Sequence, residues 1–557
     1  MDFTPSITVE SLKWERVVLN IAGKINNINP DAVEFHIANG ERSQLIKSAE
    51  IKDGFYLIRL NVTTADAGCT FLEGGNWSIT ARDKVTGSTY PIEISDYLFC
   101  DDAIEDEYVY CNDKRIKMGR FAKLFAKSTT HYYNVLPLMD DKGNLYISID
   151  YQPPVKKSPI VKFFKGIIKP FKPMVYATKR GLFRALFYIA NAFPHSGNVI
   201  LFTSDSRAEL SGNMELVYKR MCERGLDKQF KIKMMFRESV KTYRSFTDKF
   251  KMPFILGRSD IIIVDDYNPT IELVKYRPHV KIIQLWHACG AFKTVGFSRL
   301  GKVGGPAVAS SVHRHYTHAI ASSDHVARFY AEAFGIDEAR VYPTGVPRTD
   351  IFFDPEYKVA IREKMKHEFP IINGKKVILF APTFRGNGAK SANYPFGKIN
   401  MHALADYCRK TDSVVIFKMH PFVTTPIFIP KEFSDIMIDE TESREINDFL
   451  FVTDLLITDY SSVIYEASTL NIPMLFYAFD LESYIASRDF YEPFETFVPG
   501  KIVKTSGEMM KALETGDFEH EKVAPFRDRN FEYQDGGSTD RVIDWLILGT
   551  HDQNNAN

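Results

Sequence analysis

The chain has 557 residues, 45% of them apolar, with 70 Lys plus Arg against 70 Asp plus Glu. That length exceeds a single core, which stops growing at about 250–300 residues, so more than one domain is expected. The balanced charge names no partner, and the apolar content suits a globular protein with a large core.

Six cysteines (Cys69, Cys100, Cys111, Cys222, Cys289 and Cys408) are scattered with no CxxC spacing, a pattern of reduced thiols in a cytoplasmic compartment. The opening MDFTPSITVE has neither a basic region nor an apolar core, so no signal peptide is expected. No apolar run is long enough for a membrane span.

Residues 1–150 read as a β-rich domain. Runs at 17–21, 33–37, 55–60, 77–81 and 90–94 have strand character, and Asn39-Gly40, Asp53-Gly54 and Thr86-Gly87 punctuate them as turns. A small sandwich is expected, with Trp14 and Trp77 in its core and no catalytic constellation.

Residues 151–195 change character. No acidic residue occurs between Asp150 and Asp205, while Lys156, Lys157, Lys162, Lys165, Lys169, Lys172, Lys179, Arg180 and Arg184 do. Phe163, Phe164, Ile167, Ile168, Phe171, Phe183, Leu186 and Phe187 are interleaved. Pro170 and Pro173 are expected to divide the stretch into short helical pieces. A basic amphipathic segment suits an anionic membrane surface; the alternative is a linker with a solvated basic face. The chain offers no nucleic-acid motif.

From 196 onward strands alternate with helices, the pattern of an α/β fold with parallel sheets. In 196–350, strands are expected at 198–202, 231–236, 261–264, 281–286 and 318–321. His287 follows one of them, before the turn at Gly290. In 351–548, strands at 375–380, 413–417, 455–457 and 473–476 lead into polar loops carrying Arg385, Lys418, His420, Asp459, Ser461 and Ser462. Two Rossmann-like halves facing a cleft are expected, with ligands outside the carboxyl ends of the strands. Ser461 and Ser462 open a helix and suit phosphate; their plainer reading is as N-caps. There is no GxGxxG and no P-loop, which weakens nicotinamide and NTPase readings.

The stretches WHACGAFK (286–293), GVPRTD (345–350), APTFR (381–385), KMHP (418–421) and TDYSS (458–462) occur in that order. Together they resemble the CDP-glycerol glycerophosphotransferase family, the teichoic acid primases and polymerases, over roughly 196–548. Family members often have WHGTP where this chain has WHACG. The resemblance implies a GT-B fold and peripheral attachment to the cytoplasmic face of the membrane. It also implies transfer of glycerol phosphate from CDP-glycerol to a lipid-linked polyol-phosphate or glycan acceptor in wall or capsule polymer synthesis. It implies that His287 and His420 are essential and that Ser461 and Ser462 lie in the donor site. No cofactor and no metal are expected. Arg348, in the second stretch, is assigned to substrate.

A hydroxyl must attack the polyol-bearing phosphorus and CMP must leave. Histidine, with a reference pKa of about 6.5, suits the base. His420, Lys418, Arg385 and the Ser461–Ser462 helix start are the candidates for gripping the diphosphate. Asp459 is expected to buttress or bind, and Glu466 to hold donor hydroxyls. His313, His315 and His318 are close in sequence but lack an acidic ligand cluster, so no metal site is expected there. Cys289 reads as a small loop residue, not a nucleophile. The rivals are a ribitol-phosphate transferase using CDP-ribitol, and a non-catalytic polymer-binding protein at the membrane.

Overall fold

The computed structural model describes residues 4–550 except 41, 66–69, 101–107, 112–113, 118–131, 153–170, 241, 243, 303 and 387–390. The predicted basic residues Lys156, Lys157, Lys162, Lys165 and Lys169, with Phe163, Phe164, Ile167, Ile168 and Pro170, lie outside the described residues, as does Cys69. The fold is mixed α/β.

In the first 152 residues the strands alternate buried and exposed positions, as in Phe55–Asn61, so each has one apolar face. Ten strands hydrogen-bond into one sheet. Strand Thr89–Cys100 joins its two parts, pairing parallel with Ser6–Glu15 and antiparallel with Gly75–Asp83. The apolar faces enclose one core that includes Trp14 and Trp77. Asp53 and Gly54 both take left-handed φ, 52° and 77°, and close a two-residue hairpin between Lys52 and Phe55.

Two six-stranded parallel sheets follow. Their central strands, such as Val199–Ser204, Ser413–Phe417 and Leu455–Thr458, are buried at every position. Helices cover both faces, so an apolar run without alternation is required. The second sheet has the order 3-2-1-4-5-6 in its own strands, that of dinucleotide-binding sheets. The order reverses between Lys376–Phe380 and Leu455–Thr458, so the loops after these strands flank a natural crevice. The first sheet has the order 2-1-3-4-5-6.

The parts are tied by buried polar contacts. Arg16 of the N-terminal sheet donates two hydrogen bonds to Glu332 (2.7 and 3.0 Å), whose side chain is 4% exposed. Residues 538–548, assigned by sequence to the second half, return to the first. Asp540 accepts from Arg220 and Arg224, and Lys281 Nζ donates to the Leu546 carbonyl (2.8 Å).

Helix Phe171–Ala192 packs on helix Phe246–Arg258. Gly257 permits this: a Cβ there would lie 2.6 Å from the Phe187 carbonyl oxygen. The predicted break at Pro173 is absent. Pro173 sits in the first turn, where no intrahelical partner for its nitrogen is needed, and one 22-residue helix results. Among the described residues no helix is long and apolar enough to cross a membrane.

Candidate active site

The crevice floor of the second sheet is an ionic staple. Asp459 is fully buried; its Oδ1 accepts the amides of Thr383 (2.7 Å) and Tyr460 (2.5 Å), and its Oδ2 faces Arg385 at 2.9 Å. Arg385 also donates to both oxygens of Asp480 (2.6 and 2.9 Å) and to the Thr383 carbonyl (2.6 Å). Burial opposes its charge, but Asp459 and Asp480 outweigh burial and hold it protonated. Both residues are spent on joining the loops after two strands. Arg385, expected to grip substrate, stands here against these carboxylates.

Lys418, expected to grip the diphosphate, is likewise turned towards protein groups. Its side chain is buried, and Nζ donates to the carbonyls of Glu440 (2.6 Å), Thr441 (3.1 Å) and Ser443 (3.1 Å). Three partners use all three ammonium protons, so Lys418 secures the loop behind His420.

Other polar groups remain available. The Phe422 amide donates to Nδ1 of His420 (3.1 Å), which leaves the proton of the neutral ring on Nε2 as a donor. Burial, and then the charge of Lys293, hold the His420 pKa below its usual 6.5. His420 packs between Phe384 and Phe422. Ser461 Oγ caps the Val463 amide at 3.4 Å, whereas Ser462, at the N-cap position, makes no side-chain capping bond and is exposed.

Lys293 is the cation that sequence reasoning passed over. It belongs to the first half but reaches the second, pairing by an isolated bridge with Phe490 and lying over the Tyr484 ring at 5.4 Å. Burial pulls its pKa down to about 8; Asp459 opposes this, while Arg488 and Arg385 add to it. Neither Lys293 nor Arg488 has an ion-pair partner among the described residues. A lysine six residues after His287 was a visible signal, whereas Arg488 carried none.

The His287 loop is held by its surroundings. Trp286 has φ 46°, a strained value for a bulky residue. Its amide donates to Gln284 Oε1 (2.8 Å), its carbonyl accepts from Asn213 Nδ2 (2.8 Å), and its ring packs on Phe334. This turn sends His287 outward, exposed, with its ring 4.4 Å from that of Trp286. Gly290 is required where it stands: a Cβ would lie 2.0 Å from the Tyr465 ring.

Arg348 and Glu466 join the halves. Arg348 donates to the His287 carbonyl (3.1 Å) and approaches Glu466 Oε1 at 3.7 Å. Cys289 donates its thiol to the same oxygen (3.3 Å), and burial, then Glu466, raise its pKa well above the usual value. A thiol so held is no nucleophile. Glu466 Oε2 is buried without a protein partner. His313 Nδ1 pairs with the Tyr316 hydroxyl and His318 Nδ1 with the Thr317 hydroxyl, separate neighbours that form no ligand set.

Over residues 185–548 the chain matches the family model described as CDP-glycerol:poly(glycerophosphate) glycerophosphotransferase. The teichoic acid ribitol-phosphate polymerase TarL of Staphylococcus aureus is 43% identical, covering 96% of this chain and 98% of its own length. The teichoic acid ribitol-phosphate polymerase TarK of the same organism is 50% identical over 76% of this chain and 83% of its own. The solved structure of the wall teichoic acid polymerase TagF covers 71% of this chain and 98% of its own with a TM-score of 0.52 at 18% identity, a likeness of fold.

Lys418→Met is expected to remove three hydrogen bonds from the 440–443 loop and to lower unfolding stability by about 1–3 kcal/mol, leaving CMP affinity of the folded protein unchanged. Denaturant titration with calorimetry checks this. Lost CMP affinity at intact stability would return Lys418 to the ligand.

Proposed function

The chain belongs to the CDP-glycerol:poly(glycerophosphate) glycerophosphotransferase family, and from that premise we propose that it polymerises ribitol phosphate from CDP-ribitol onto a lipid-linked acceptor. Two relatives at 43% and 50% identity carry ribitol-phosphate polymerase names, which supports ribitol over glycerol. The family description supports CDP-glycerol as the second reading. The observation that carries the chemistry is an exposed strand-end histidine in the first half and, in the second, a histidine whose charge is disfavoured by burial and by Lys293, a cation without an ion-pair partner among the described residues.

In this reading the halves form a GT-B pair, with 196–350 as the acceptor unit and most of 351–548 as the donor unit. His287 takes the proton from the attacking polyol hydroxyl. The new O–P bond forms as the bond between the polyol-bearing phosphorus and the CMP oxygen breaks. His420 Nε2–H donates to the diphosphate, and Lys293 and Arg488 supply positive charge where CMP departs. Ser461 and Ser462 add hydroxyl donors. Arg348 positions the His287 loop, and the open Glu466 oxygen suits a polyol hydroxyl.

The membrane reading also gains support. Leu182, Tyr188 and Ile189 of helix Phe171–Ala192 and Phe193 just after it are exposed, as are Phe246, Phe250 and Phe254 of the helix beside it. Exposed Lys179, Arg180, Arg184, Lys249 and Lys251 lie on the same two helices. Two packed helices presenting aromatics and bases suit insertion into an anionic leaflet at the cytoplasmic face.

With CDP-ribitol, CDP-glycerol and a lipid-linked acceptor, turnover is expected with CDP-ribitol. His287→Ala should lose about 10²–10⁴-fold in turnover with donor affinity retained, whereas His420→Ala should lose both. Activity with CDP-glycerol alone would select the second reading; full activity of His287→Ala would remove it as base.

Donor affinity should fall as pH rises through about 8, because an anion favours the charged ammonium and Lys293 loses its proton there. The slope approaches tenfold per pH unit. Lys293→Met should bind weakly with no such slope. A flat calorimetric profile for wild type from pH ~7 to ~9.5 overturns the role.

Phe250→Asp with Phe254→Asp should weaken co-sedimentation with anionic vesicles by at least about tenfold, from about 1.5–3 kcal/mol per side chain removed from lipid. Unchanged sedimentation would exclude this face.

A further inference from the structure

At the opposite ends of the first sheet's strands, away from the cleft, three ligand-type side chains converge. His195 precedes strand Val199–Ser204, Asp260 precedes Ile261–Val264, and His279 precedes Lys281–Gln284. His195 Nδ1 lies 2.9 Å from Asp260 Oδ1 and 3.5 Å from His279 Nε2, and all three ligand atoms lie within 4.8 Å of one another. The side chains of His195 and Asp260 are each 6% exposed, while His279 faces solvent.

These separations have the scale of a metal site. Bonds of about 2.0–2.2 Å from zinc to nitrogen or oxygen place neighbouring tetrahedral ligands about 3.3–3.5 Å apart. The two imidazoles stand nearly perpendicular, at 87°, with ring centroids 5.1 Å apart. The other oxygen of Asp260 accepts the Val199 amide at 3.0 Å, which orients the carboxylate to offer Oδ1 alone. Such outer support is what a ligating carboxylate requires.

We propose that His195, Asp260 and His279 bind one divalent ion of the zinc class, with water in the fourth position on the exposed side. The donor set of two imidazoles and one carboxylate suits zinc or cobalt and not calcium or magnesium, which demand oxygen ligands. The site does not join the chemistry: a strand of four to six residues, about 13–20 Å, separates it from the carboxyl ends where His287 sits. Its place suggests a brace. His195 follows the end of helix Phe171–Ala192, so the ion ties the exit of that helix to the starts of two strands.

The test uses the tag-free, chelator-stripped full chain. Cobalt should produce the visible absorption bands of a tetrahedral centre, and zinc should remain at one ion per chain after gel filtration. Zinc should also raise the thermal midpoint. His279→Ala, an exposed change that leaves the core intact, should lose the bands, the bound zinc and the thermal gain. Asp260→Asn should weaken zinc binding by more than the ~10–100-fold that a supporting residue contributes. His367→Ala, at an exposed histidine elsewhere, should behave as wild type. Absence of the bands in wild type, or zinc retention by His279→Ala equal to wild type, overturns the site and leaves a plain His195–Asp260 hydrogen bond.

Discussion

The geometry of the cleft rests on one buried carboxylate. Asp459 takes two backbone amides and one guanidinium, and so fixes the loops after Lys376–Phe380 and Leu455–Thr458 against each other. Removing one partner of such a buried pair typically costs about 3–5 kcal/mol, because the remaining charge is left uncompensated. Arg385 passes the constraint on to Asp480 and lies over the rings of Tyr460 and Tyr484. The turn that presents Ser461 and Ser462 therefore cannot drift relative to the Thr383–Arg385 loop.

The pairing of charges sorts the cationic residues of the site into two kinds. Arg385 and Lys418 have their donors filled by protein and act as framework. Lys293 and Arg488 have no ion-pair partner among the described residues, and Lys293 is held in surroundings that disfavour its charge. A group kept charged against its surroundings gains most from an incoming anion. The strain at Trp286 belongs to the same economy of position: an unfavourable φ is held by a side chain on each side so that one imidazole faces outward.

The first sheet separates its roles by direction. Its carboxyl ends face the second sheet through Cys289, Arg348 and Glu466. Its amino ends carry the His195 cluster and the exit of the long helix. The two helices at its side turn aromatic side chains outward and bury Phe187 and Met252. Parallel strands produce this polarity unaided, since all loops of one kind emerge at one end.

The sequence alone determined the class of fold and the family. Fully apolar strand runs, polar strand-end loops and five ordered stretches are local patterns, and local patterns survive in a linear reading. The turn at Asp53-Gly54 and the strand-end place of His287 before Gly290 were legible for the same reason. The work done by each cation was not. Lys418, Arg385 and Lys293 look alike along the chain, and only the tertiary structure assigns the first to three carbonyls and the second to two carboxylates, leaving the third without an ion pair among the described residues. The partners lie 22–25 residues away for Lys418 and 74–95 for Arg385 in sequence. Pro173 was misread because its meaning depends on whether it falls inside a helix or in the first turn. The cluster of His195, Asp260 and His279 spans 84 residues, so no spacing rule could gather it. Charge compensation and ligand convergence are properties of distance in space, and the chain acquires those distances only when its sheets form.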